Sequence, residues 1–573
     1  MVVQPRWDRR DVLALAVVLG ALLLPVLGLM RYQGPPMEEG FMLVFPEQIL
    51  QGRLPHRDFL HLYGPGSIYV LAAVYRILGA DITVERMVGL LQHAVVAVSM
   101  YALLRPWGRR VATPAAVVAV LILLLPMGLV AMAWNGALAF ATAGLAVGAA
   151  AVRRSLPTDR SAATSAAGAD VDPSVVETPG TDRTAGRLLA LSGVCAGAAL
   201  LYRPDLVLAV GVGVALLAAP LSWARRRPLL LGAGITLALY VPHVLLSGIG
   251  ASFQGMFLEP VLELRPGRAL PVPPSWGEID GFLQKAGALR TTGWPFPMPA
   301  LSQQIVLWFW LVPASILLVV AVAWMLWRRE PTSDRARSFV PAAGFSALLI
   351  TQALQRPDTT HLAWVTCISF PLAMAAVAYL VERRSAARPW LPPVIASAVA
   401  ALVLLVVIPF YPVRTYLDAV GQTFGRNQFG APITNGDRTF HFGSPEGAAD
   451  AQAVVDGLAA RARPGDRLIA GPGDLSRTNY SDAYFYHLFP DLVPGTRYIE
   501  MDPGLADAEG SGLAEEVAAA DWLILTDAAN TWTEPNTSAG ARSDAPNQIV
   551  REQFCEVVVT PTVRLLGRCG PGA

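Results

Sequence analysis

Charge is what this chain has least of. Only 15% of its 573 residues are Asp, Glu, Lys or Arg, while 54% are hydrophobic; soluble proteins carry about 25% charged residues. That shortage excludes an ordinary soluble enzyme. The net charge of +1 gives no bulk attraction to nucleic acid, which is not expected as a partner. Lysine occurs once, at Lys285, among 44 basic residues; with abundant Ala and Gly, this bias implies a GC-rich bacterial genome. No small-residue cleavage site follows the first apolar run, so that run reads as an uncleaved span and not as a secretory signal. No Gly-x-Gly-x-x-Gly follows a strand-like run, and "AGPGDLS" reads as a strand-end turn instead of a phosphate loop. Cysteine is scarce. Cys195 and Cys367 lie in apolar runs, where a thiol behaves as a small hydrophobe.

Long apolar runs dominate what remains. They fall at 12–30, 84–104, 111–131, 135–152, 188–202, 205–222, 229–247, 303–327, 339–355, 361–381 and 390–411, and each approaches the length needed to cross about 30 Å of hydrocarbon. The reading is a polytopic α-helical membrane protein with about eleven transmembrane helices in a bacterial plasma membrane. Arginine clusters mark cytoplasmic loops. "RPWGRR", the tract 153–187, "WARRRP", "WRREPTSDRARS" and "ERRSAARP" alternate with arginine-poor loops, which places the N-terminus in the cytoplasm. Residues 65–79 are too short for a span and are expected to lie at the outer interface. Residues 155–184, rich in Ala, Ser, Thr, Asp and Pro, read as a disordered cytoplasmic linker. Residues 248–302 form a long outer loop, which either covers a site or merely connects spans.

The transmembrane domain is expected over 1–412. Residues 413–573 are polar and turn-rich and read as a small extracytoplasmic α/β domain with a largely parallel sheet, in which "DRLIAG", "TRYIEM" and "DWLILTD" are strand-like. Cys555 and Cys569 flank "EVVVTPTVRLLGR". A hairpin there would set them face to face, and a disulfide persists outside the cytoplasm.

The remaining charges gather at the outer ends of spans. The first outer loop carries Glu38, Glu39, Arg57, Asp58, His61 and Tyr63; "LYRPD" carries Arg203 and Asp205; "QRPDTTH" carries Arg356, Asp358 and His361. Each has an ordinary explanation: loop glutamates are usually solvated, and Arg-Pro-Asp often fixes a turn. Charge at a membrane edge is nonetheless costly unless paired or used, and clustering on one side points to one outward polar cavity.

The stretch "EEGFMLVFPEQILQGRLPHRDFLHLYGPGSIYVLAAVYRILG", followed by "VERMVGLLQHAVVAVSMYALL", resembles the amino-terminal region of GT-C glycosyltransferases, and within them the protein O-mannosyltransferase and aminoarabinose-transferase branch. The match covers about residues 35–105; "ALLYRPDLVL" and "QRPDTTHL" resemble further elements of that group. The resemblance implies a polyprenyl-phosphate sugar donor and transfer on the outer face, with an envelope glycan, lipid or protein as acceptor. Glu38 falls at the acidic base position and Glu39 on the glutamate after it, while Asp58 in "HRDF" matches an Arg-Asp element. This chain has Glu where the pattern has Asp, so either glutamate could be the base.

The chemistry requires a base for the attacking hydroxyl and cations for the departing phosphate. Glu38 is the favoured base, with Glu39 assisting or binding a metal or the acceptor. Arg203, Arg356 and His361 are candidates for the phosphate, and Asp58, His61, Asp205 and Asp358 for shaping the binding pocket. No cofactor is required, although Glu38, Glu39 and Asp58 are oxygen ligands of the kind a divalent cation takes. A flippase of lipid-linked precursors and a non-catalytic envelope scaffold are the rival readings.

Overall fold

The structure is a computed structural model that describes residues 7–124, 127–156, 183–285, 296–385, 387–426, 430–527 and 532–570. Nearly all of the expected linker 155–184 lies outside the described residues. A helix occupies each of the eleven apolar runs. Eight of the described helices are long and apolar enough to cross a membrane. Arg109–Leu123 and Val207–Ala218 are shorter, at 15 and 12 residues. The last run is bent by 87° between Leu391–Val407 and Phe410–Thr423; counting it as one span makes nine. The protein is a multi-pass membrane protein with a small C-terminal sheet domain.

Several helices begin at a capping side chain. Asp8 accepts hydrogen bonds from the Arg10 and Asp11 amides at the start of Arg9–Leu23, Ser333 caps Asp334–Leu348, and Asp358 caps Thr359–Arg384; each satisfies amides that a helix leaves unpaired. Asp11 is buried and receives the guanidinium groups of Arg105 and Arg109. Arg335 reaches the Pro106 carbonyl (3.4 Å) and Glu382 (2.9 Å). Arg225 donates to the Ser155 carbonyl (2.5 Å) and Arg337 to that of Leu156 (3.4 Å). The N-terminal helix and the arginine clusters thus meet at one end of the bundle. The helix Gly66–Leu78, 13 residues long, buries Leu71 and Tyr75 and exposes Ile77 and Leu78.

The C-terminal domain has a hairpin of β1 (Ala431–Asn435) and β2 (Arg438–Phe442). Its five-stranded sheet is made of β3 (Arg467–Pro472), β4 (Val493–Pro494), β5 (Trp522–Thr526), β6 (Phe554–Val559) and β7 (Val563–Arg568), in the order β4-β3-β5-β7-β6. The sheet is mixed: β3 runs parallel to β4 and β5, whereas β7 is antiparallel to β5 and β6. The tight β6–β7 turn imposes that reversal. "TRYIEM" is not a strand. Ile499 and Met501 are buried in an irregular segment, and β4 lies just before it. Cys555 and Cys569 are joined, with Cα atoms 5.0 Å apart. A register shift between Glu556 and Val558 sets Cys555 opposite Gly567, so Cys569, two residues on, shares its face of the ribbon.

The domain grips the helix Glu38–Leu50. Arg438 donates to Glu47 at 2.7 Å, and at Gly40 a Cβ would stand 2.5 Å from the Tyr484 amide nitrogen. Only glycine lets the two backbones approach this closely.

Candidate active site

Glu38 and Glu39 occupy the first turn of the helix Glu38–Leu50, where the helix dipole favours negative charge. Successive helical residues point roughly 100° apart, and here that separates their environments. Glu39 is fully buried, and Arg86 donates to both its oxygens at 2.6 and 2.7 Å. Arg86 also donates to the Leu29 carbonyl at 2.9 Å. Gly34 makes room for this pair, since a Cβ there would sit 1.6 Å from Glu39 Oε2. Glu38 is half-buried and, among the described residues, makes no ion pair. Burial raises its carboxyl above the ordinary value, and Arg268 and Arg356 partly offset this.

Glu38 lines a cavity together with Arg203, Asp205, Arg356 and His361. Five of the candidates therefore share one space. Asp358 supports it from behind: its carboxylate accepts from Arg356 Nε at 2.8 Å, lies 2.8 Å from His361 Nδ1, and accepts from the His361 amide at 2.9 Å. Burial opposes ionisation of Asp358, yet His361 and Arg356 hold its carboxyl at about 2. Arg203 is clasped by Asp205 through two bonds of 2.8 Å and sandwiched between Tyr63 (4.5 Å) and Trp134 (4.4 Å). Gln352 donates to Asp205 at 3.1 Å.

Three candidates lie elsewhere. Asp58 pairs with its exposed neighbour Arg57. His61 is buried against Phe45, His56 and Tyr63, and Glu39 is committed to Arg86. Among the described residues no three His, Cys, Asp or Glu side chains converge as a metal site, so Glu38, Glu39 and Asp58 do not form one.

Sequence reasoning missed four charged groups around Glu38. Arg265 and Arg268 come from the short helix Arg265–Arg268 in the outer loop, which also lends Met256, Pro260 and Leu264 to the cavity wall. Glu500 comes from the irregular "TRYIEM" segment, and burial beside Asp502 pushes its carboxyl well above the carboxylate range. Glu534 of the C-terminal domain holds Arg356 with bonds of 2.6 and 2.9 Å. Arg268 donates to Asp502 at 2.5 Å. The arginines near Glu38 are thus balanced except one: Arg265 is exposed within the cavity and, among the described residues, makes no ion pair. No local motif marks these residues. A hint was the "RPGR" run in the long outer loop.

A family model described as "6-pyruvoyl-tetrahydropterin synthase related domain; membrane protein" matches residues 60–152. No curated protein matches the sequence. Among solved structures, ArnT from Cupriavidus metallidurans in the apo state is similar over 98% of this chain and 100% of that one, at 13% identity and a TM-score of 0.50. ArnT bound to undecaprenyl phosphate matches over 98% of this chain and 99% of that one, at 14% identity and 0.48. The archaeal oligosaccharyltransferase AglB from Archaeoglobus fulgidus, in complex with an inhibitory peptide and a dolichol-phosphate, matches over 98% of this chain and 75% of that one, at 12% identity and 0.46. The chain shares the fold of apo ArnT.

Proposed function

We propose that this protein is an inverting glycosyltransferase that moves a sugar from a polyprenyl-phosphate donor to a hydroxyl acceptor of the cell envelope. In this reading it resides in a bacterial plasma membrane with its N-terminus in the cytoplasm and its C-terminal domain outside. The observation that carries the proposal is one cavity lined by both Glu38 and Arg265, a carboxylate and a guanidinium that make no ion pair among the described residues.

Glu38 accepts the proton of the attacking hydroxyl, and its raised affinity for protons suits it to that task. The hydroxyl oxygen forms a bond to the sugar's anomeric carbon from the face opposite the phosphate. The carbon–oxygen bond to the phosphate breaks, and polyprenyl phosphate leaves with the electron pair. Arg265 matches the growing negative charge. Arg356 is already neutralised by Glu534 and Asp358, so it takes a phosphate oxygen only by exchange with Glu534. Arg203, locked between Tyr63, Trp134 and Asp205, shapes the wall. Glu39 and Arg86 fix the first helical turn so that Glu38 faces the cavity. No step requires a metal.

The test is transfer of labelled sugar from polyprenyl-phosphate sugars by the purified protein in lipid nanodiscs. Glu38→Gln should slow transfer by roughly 10²–10⁴-fold while donor binding persists, and a chelator should leave the rate unchanged. Transfer at the wild-type rate by Glu38→Gln would end the proposal.

A further inference from the structure

A second cavity lies on the C-terminal-domain side of Glu38 and shares Met37, Glu38, Arg268 and Arg356 with the first. Its distinctive wall is aromatic. Phe282, Tyr480 and Trp532 line it, with ring centroids 6.2 Å (Phe282–Tyr480) and 5.7 Å (Phe282–Trp532) apart. Asn479, Glu534 and Ser538 are the polar groups beside them. Among the described residues the buried Trp532 indole N–H has no hydrogen-bond partner, and a buried donor left unmade is costly unless a ligand completes it.

The two cavities differ in charge. Arg265 lines only the first. In the second, both arginines are engaged: Arg268 by Asp502, and Arg356 by Glu534 and Asp358. An anionic group thus finds an unmatched cation only in the first. The second combines aromatic faces, carboxylate acceptors and an unsatisfied N–H. That combination suits a neutral polyhydroxylated ring, whose C–H faces pack on aromatics while its hydroxyls donate and accept. Glu38 stands at the junction, in reach of a hydroxyl delivered from the second cavity.

We infer that the cavity walled by Phe282, Tyr480, Trp532 and Asn479 is an acceptor subsite for an uncharged sugar, so that the C-terminal domain selects a glycan acceptor. This rests on the glycosyltransferase reading for the transfer step but not for the binding. The step balances as above: the acceptor sugar loses its hydroxyl proton to Glu38, and its oxygen replaces the donor phosphate at the anomeric carbon.

The test uses the full chain in nanodiscs and reads binding separately from transfer. The probes are the methyl glycosides of mannose, glucose, galactose and arabinose, a Ser/Thr peptide, and undecaprenyl phosphate, each titrated by calorimetry. At least one methyl glycoside should bind, and Trp532→Ala and Asn479→Ala should each weaken it by about tenfold, the equivalent of one lost stacking or hydrogen-bonding contact. Trp532→Phe, which keeps an aromatic face and loses the indole N–H, should bind the glycoside more weakly than wild type and more tightly than Trp532→Ala, and undecaprenyl phosphate should bind all three variants like wild type. Failure of every methyl glycoside to bind, or equal glycoside affinity in wild type and Trp532→Ala, overturns the inference. So does peptide binding that depends on Trp532. Glycoside binding that depends on Trp532 without any sugar transfer would sustain the subsite and remove the glycosyltransferase reading instead.

Discussion

Replacing the two adjacent glutamates one at a time should give two different kinds of damage. Glu38 makes no ion pair among the described residues, so Glu38→Gln removes a reactive group at little structural cost. General-base catalysis contributes roughly 10²–10⁴-fold, and kcat should fall by that amount with the unfolding midpoint unchanged. Glu39 and Arg86 are 0% and 3% exposed. Removing one partner of such a pair costs about 3–5 kcal/mol, because the other charge is left buried. Glu85 lies close enough to Arg86 to offset part of this, so Glu39→Gln should fall near 3 kcal/mol, still about a 100-fold change in an equilibrium constant. The paired variant Glu39→Leu with Arg86→Met should cost less than the two single changes together, with a coupling energy of about 1–3 kcal/mol. Denaturant unfolding followed by tryptophan fluorescence, run beside the transfer assay, separates the effects. Additive single and double variants would refute the structural role of Glu39. A destabilised Glu38→Gln would refute the claim that Glu38 stands free.

Arg265→Ala should raise the donor KM by about 10–100-fold, the value of one charge-assisted hydrogen bond, with acceptor KM unchanged; an unaltered donor KM would move the phosphate elsewhere. The Glu38 carboxyl lies above its ordinary value because of burial, relieved in part by Arg268 and Arg356. Base activity is therefore present above that raised value and lost as pH falls through it. The acid limb of the kcat profile should lie above the ordinary glutamate range of about 4.3, and Glu38→Gln should remove it. Cys555→Ser should destabilise the C-terminal domain by about 3 kcal/mol, the value for a loop of this length. Differential scanning of the wild-type protein with and without reductant should show the same loss.

The positions of the helices were legible in the sequence because apolar run length is a local property, set by the thickness the chain must cross. The common end of the arginine clusters was legible for the same reason, and the structure adds the partners: Asp11 for Arg105 and Arg109, Glu382 for Arg335. The β6–β7 hairpin could be read from its turn and flanking cysteines. The mixed sheet could not, since strand order depends on packing. Adjacency in sequence said nothing about which glutamate would face a cavity. That choice is made by Arg86, 47 residues downstream, and by the room at Gly34.

Arg265, Glu500 and Glu534 reach Glu38 from segments far apart in the chain and carry no motif. Sequence alone determined that this chain crosses a membrane many times and keeps its few charges at the ends of its spans, because moving charge out of water is costly wherever it occurs. Tertiary structure decided which of those charges cancel and which, such as Glu38 and Arg265, make no ion pair among the described residues. The Arg-Pro-Asp pairs follow from local spacing, whereas the pairing of Glu39 with Arg86 and of Arg356 with Glu534 is a matter of distance in space that no spacing along the chain encodes.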